Sequence, residues 1–69
     1  MSARLSWSDY EEIGELLHER MPEMDPLSVR FTQLAQWVRE LEEFDDPEGT
    51  PNEKILESIQ MAWLEESQE

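Results

Sequence analysis

Cysteine is absent from this 69-residue chain. That excludes disulfides, thiolate metal ligands and a cysteine nucleophile. Histidine occurs once, as His18, and glycine only twice. No P-loop, G-x-G-x-x-G, G-x-S-x-G or H-E-x-x-H motif is present. Long apolar runs are missing too, and none approaches the roughly 20 residues that a membrane helix needs. The opening MSARLSWSDY has no apolar core of the kind a signal peptide carries. Basic residues are scarce: five Lys and Arg face eighteen Asp and Glu, for a net charge of −13. Nucleic acids and anionic membranes should repel such a chain. Its natural partners are cations, either metal ions or a protein with a basic patch.

The length allows one small domain spanning 1–69. Ordering it costs on the order of 100 kcal/mol, at roughly 1.5 kcal/mol per residue. Such a chain has little room for a deep catalytic cleft, so the expectation is a protein that is not an enzyme. A hydrolase built on paired carboxylates would need a concave site that this length hardly permits.

The apolar spacing reads as all-α. Ser8-Asp9-Tyr10-Glu11 has the S-x-x-E form of a capping box. It predicts a first helix with Ile13, Leu16, Leu17 and Met21 on one side, Tyr10 one turn earlier, and an end at Pro22. Gly14 weakens that helix by about 1 kcal/mol unless a close contact requires it. Asp25-Pro26 pairs a good N-cap with a good first helical residue, which predicts a single turn over Pro26–Val29. Thr32 reads as the cap of a third helix with the stripe Leu34, Trp37, Val38 and Leu41, extended by Phe44 and ending near Glu43. Thr50-Pro51-Asn52-Glu53 reads as another capping box, with Pro51 first in a fourth helix that carries Ile55, Leu56, Ile59, Ala62 and Trp63. The tail EESQE should fray. Core packing is the ordinary role for all three tryptophans; Trp7 is the best candidate for an exposed partner anchor. His18 lies off the main stripe and reads as a surface residue.

The acidic residues fall in two groups. Glu11, Glu15 and Glu19 stack at i, i+4, i+8, with Asp9 and Glu12 as i, i+3 neighbours. Like charges at such spacing cost a helix roughly 0.2–0.5 kcal/mol per pair. Asp9, Glu11 and Glu12 recover part of this at the helix N-terminus, and Glu19 lies too far along. The second group comprises Glu40, Glu43, Asp45, Asp46, Glu48 and Glu57, which would join the first if the chain folds them together. Only oxygen ligands are plentiful, which suits hard ions, and the stretch DDPEGTPNE does not fit the register of an EF-hand loop. Any metal site would be shallow and weak.

Several blocks carry a resemblance. They are W-S-D at 7–9, E-I-G-E-L at 12–16, D-P at 25–26 and V-R-F-T-x-L at 29–34. Q-W-V at 36–38, L-E-x-F-D-D at 41–46, N-E-K-I-L-E-x-I at 52–59 and W-L-E-E at 63–66 complete the pattern. In these the chain resembles the IscX family, small acidic proteins of bacterial iron–sulfur cluster assembly. The resemblance implies a domain of three to four helices similar to a winged-helix fold. It also implies docking of an acidic surface on the basic groove of a cysteine desulfurase, and weak Fe²⁺ binding by surface carboxylates with no obligatory cofactor. The role would be iron donor, adaptor or regulator in the cytoplasm. Asp9, Glu12, Glu42, Asp45, Asp46 and Glu53 fall in matching blocks, and Glu43 stands where the family tends to carry an acid. Hence Asp9, Glu12, Glu42, Glu43, Asp45 and Asp46 are candidates for metal binding. Asp9, Glu11, Glu12, Glu15, Glu19, Asp45, Asp46 and Glu53 are candidates for the partner surface, Glu11 resting on the charge argument alone. Without thiols the chain cannot accept a persulfide or scaffold a cluster, so in such a pathway it can carry iron, dock or regulate. The expectation is a monomer that binds neither nucleic acid nor membrane. The alternative is an acidic module or nucleic-acid mimic that blocks a basic DNA-binding partner.

Overall fold

The computed structural model describes residues 4–46 and 49–68. Pro47 and Glu48, the latter one of the second acidic group, lie outside the described residues. Three α-helices and one 3₁₀ turn form the domain: α1 (Tyr10–Arg20), the turn (Pro26–Ser28), α2 (Phe31–Arg39) and α3 (Glu53–Ser67). No strand occurs among the described residues, and a lone parallel bridge joins Leu5 to Phe44. The all-α expectation holds.

Helix α3 is the centre of the molecule. Its interface with α1 is the most extensive, and both α2 and the 3₁₀ turn also pack on it. Ile13 and Leu17 from α1, Leu34 and Val38 from α2, and Ile59 and Trp63 from α3 are fully buried. These are the positions where the helical periods coincide. Trp37 meets Trp63 edge to face, with ring centroids 6.4 Å apart. Gly14 has the close contact that justifies it. A β-carbon there would stand 2.8 Å from both the Ala62 Cβ and the Trp63 backbone nitrogen. Glycine therefore lets α1 lie directly on the backbone of α3.

The helix starts differ from the sequence expectation. The capping box at Ser8 does not form: Asp9 is the N-cap of α1, and its side chain makes no cap bond. Its carboxylate instead accepts from the Ser6 amide at 2.9 Å and the Ser6 hydroxyl at 3.3 Å, closing the turn before the helix. Helix α2 starts at Phe31 after extended Arg30, so Thr32 lies inside the helix and does not cap it. Asn52, not Thr50, caps α3, accepting from the Ile55 amide at 2.8 Å. Asp25 does cap the 3₁₀ turn, accepting from the Leu27 amide at 3.0 Å with Pro26 at the first position. Helix α2 also stops at Arg39 rather than near Glu43. Continuing it would place Glu40, Glu42 and Glu43 at a helix C-terminus, where the dipole disfavours anions. Helix α3 runs on through Ser67, with Trp63 fully buried and Leu64 and Glu66 half-buried.

Trp7 is not an exposed anchor. It is 5% exposed and packs edge to face on Phe44, with centroids 4.7 Å apart. The Arg39 guanidinium lies 5.3 Å from its ring centroid. Its indole donates to the Gly49 carbonyl at 3.2 Å, and its amide donates to the Asp46 carboxylate at 3.4 Å. The Gly49 amide donates to the same carboxylate at 3.1 Å. Leu5 exchanges backbone bonds with Glu43 and Asp45, both at 2.9 Å. Residues 5–7 are thus sewn onto 43–46 and Gly49, and this stitching closes the core beside α2.

Urea unfolding tests these assignments. Asn52→Ala should lose about 1 kcal/mol and Thr50→Ala under about 0.5 kcal/mol; the reverse order would restore the Thr50 cap. Asp46→Ala should lose roughly 1–3 kcal/mol, since it strips a charged acceptor from two backbone amides. Asp45→Ala, which loses one exposed pairing to Arg4, should stay within about 1 kcal/mol.

Candidate functional site

The two acidic groups end in different surroundings. Around Glu43–Asp46 the few cations gather. Arg4 pairs with Asp45, and Arg20 forks onto Glu43 with both distances near 3 Å, at 3.0 and 2.9 Å. Arg39 lines a shallow groove with Phe44, Asp45 and Asp46. Three of the five basic residues thus stand beside these acids. Four of the six metal candidates, Asp9, Glu43, Asp45 and Asp46, already hold intramolecular partners. Glu12 and Glu42 are exposed. Among the described residues, no group of three or more His, Asp or Glu side chains is arranged to hold a metal ion.

The α1–α3 face is different. An open groove of about 250 Å³ runs between the two helices, lined by Tyr10, Glu11, Glu57, Ser58, Met61 and Glu65. No Lys or Arg lines it. Tyr10 is 40% exposed and Met61 47% exposed, although the periodicity placed Tyr10 with the core stripe. A second, smaller depression of about 170 Å³ at the start of α1 is lined by Ser8, Asp9, Tyr10, Glu11 and Glu12. Glu15 and Glu19 continue along exposed α1, and Glu53 stands exposed in the first turn of α3. The two depressions share Tyr10 and Glu11, so the acids of α1 and α3 meet in one surface.

Of the partner-surface candidates, Glu11 is therefore the residue that bridges the helices. Asp45 and Asp46 belong to the other region, tied to Arg4, Trp7 and Gly49. Sequence reasoning missed Glu65 and Met61, and it placed Glu57 with the wrong group. The available signal was helical spacing: Glu57, Met61 and Glu65 fall at i, i+4, i+8, like Glu11, Glu15 and Glu19 on α1. His18 is half-buried rather than a plain surface residue, and its Nδ1 has no hydrogen-bond partner among the described residues.

The groove is open rather than enclosed. Its excess of exposed carboxylates favours a cationic surface, and its exposed tyrosine and methionine add adaptable apolar contact. No helix among the described residues is long and apolar enough to cross a membrane.

Comparison with known proteins agrees with the block resemblance. The family profile described as iron–sulphur cluster assembly matches residues 5–68. The uncharacterized protein PA3808 of Pseudomonas aeruginosa is 50% identical over 62 residues, covering 90% of this chain and 94% of that protein. The match takes in all three helices, the 3₁₀ turn and both acidic groups. The chain belongs to the IscX family of iron–sulphur cluster assembly proteins.

Proposed function

We propose that this chain is a non-catalytic accessory of iron–sulphur cluster assembly that docks on a cysteine desulfurase in the cytoplasm. The docking surface is the acidic α1–α3 face, with Glu11, Glu12, Glu15, Glu19, Glu53 and Glu57 turned toward a basic groove. The observation that carries this reading is the charge asymmetry. Three of the basic residues stand at Glu43–Asp46, and none lines the α1–α3 groove. A surface left negative in this way steers a basic partner and repels nucleic acid.

Fe²⁺ is a cargo of the same surface in this reading. Exposed carboxylates such as Glu12 and Glu15 offer hard oxygen ligands. They form no ready-made cluster, so binding requires side chains to rearrange. Dissociation constants on the order of micromolar or weaker follow. The role is then adaptor or regulator of the desulfurase, or donor of loosely held iron.

Titrating desulfurase at increasing NaCl tests the docking. Affinity should fall at least about tenfold between roughly 50 and 500 mM, as the Debye length shrinks from over 10 Å to under 5 Å. Glu11→Lys and Glu57→Lys should each weaken binding at low salt. Affinity indifferent to salt and to both reversals, or capture of a DNA-binding protein in place of desulfurase, would contradict the reading.

A further inference from the structure

Two of the large exposed hydrophobic residues share one concavity. Single apolar side chains on a surface are ordinary and need no function. Tyr10 and Met61, however, stand on different helices and line the same groove, with Glu11, Glu57 and Glu65 around them. Their meeting is a direct result of the Gly14 contact, since Tyr10 lies one helical turn before Gly14 and Met61 is next to Ala62. The Tyr10 hydroxyl makes no hydrogen bond among the described residues, so it has a free polar handle.

We propose that this groove seats one apolar side chain of a protein segment whose flanking residues are Lys or Arg. The proposal rests on the docking reading and adds the chemistry of what is docked. Charge complementarity selects the occupant. No Lys or Arg lines the groove, and Lys54, exposed one turn before Glu57 and Ser58, is one cation beside three rim carboxylates, so cationic flanks complement the excess. The Tyr10–Met61 pair selects a further property that a small polyamine or a bare metal ion lacks, an apolar side chain to bury. Tyrosine is favoured among residues that dominate interface energy, and methionine adapts its shape to what it meets. Apolar contact at the centre also shields the surrounding ion pairs from salt, so this part of the affinity persists when long-range steering is screened.

The test uses the full chain with two probes. One is the desulfurase; the other is a synthetic helical peptide of Lys, Arg and Leu. Affinities are measured at about 50 and about 500 mM NaCl for the wild type, Tyr10→Ala and Met61→Ala, with circular dichroism confirming that each variant is folded. Each substitution should weaken both probes about tenfold, the loss persisting at high salt. Replacing the peptide leucines by serine should cost as much. Backbone amide shifts on peptide addition should centre on Tyr10, Glu11, Ser58 and Met61. Wild-type affinity of both alanine variants for both probes, or shifts centred elsewhere, overturns the groove. Spermine moving the same amides with affinity equal to the peptide overturns the apolar requirement. If desulfurase fails to bind while the peptide occupies the groove, the proposed partner falls and the groove stands.

Discussion

The contact on which the fold depends is the approach of α1 to α3 at Gly14. Any larger residue there would meet the Ala62 side chain and the Trp63 backbone. Because the helices touch so closely, Ile13 and Leu17 reach the same core as Ile59 and Trp63. The same approach brings carboxylates of two helices together despite their repulsion. Burial of these large side chains contributes roughly 1.5–3 kcal/mol each. Like-charge pairs at helical spacing cost about 0.2–0.5 kcal/mol. The core therefore outweighs the repulsion, and the acidic face is kept with Lys54, exposed one turn before Ser58, as a cation at its edge.

Where the cations go is the second constraint. Arg4, Arg20 and Arg39 all lie on the side of the molecule where residues 5–7 are held against 43–46 and Gly49. Trp7 is the hub of that region, using its ring, its indole and its backbone amide in separate interactions. Asp45 and Asp46, from the stretch that looked most like a metal loop in the sequence, are spent on holding this region together. Acids that looked like a solvated helix face remain available. Carboxylates with structural partners and exposed carboxylates thus fall mostly in different regions, although the sequence presents both as the same residue type.

The core was legible because burial obeys helical period. Ile13, Leu17, Leu34, Val38, Leu56, Ile59 and Trp63 all lie on stripes visible in the chain, and all are buried. The caps were less legible because S/T-x-x-E competes with neighbouring Asp and Asn. At Ser8 and Thr50 the pattern is present, yet the first turn begins later, where Asp9 and Asn52 stand. At α1 a tertiary contact fixes the chain before the helix, through Trp7 and Gly49; at α3 the choice is local, since the Asn52 side chain accepts from the Ile55 amide. The pairing of Arg4 with Asp45 and of Arg20 with Glu43 spans 41 and 23 residues. No local pattern encodes such pairings. The division of the acids into tethered and free groups follows from them, and so the site was only half visible.

Gly14 lets α1 lie on α3 and so brings acids of both helices to one groove; the proposed docking depends on that approach. Gly14→Val leaves every carboxylate in place, so it separates geometry from charge. The decisive measurement is urea unfolding of that variant together with its affinity for desulfurase at low salt. The account predicts a stability loss of at least about 2 kcal/mol, from overpacking plus a β-branched residue in a helix, and weakened docking at unchanged net charge. Wild-type stability with undiminished affinity would contradict it.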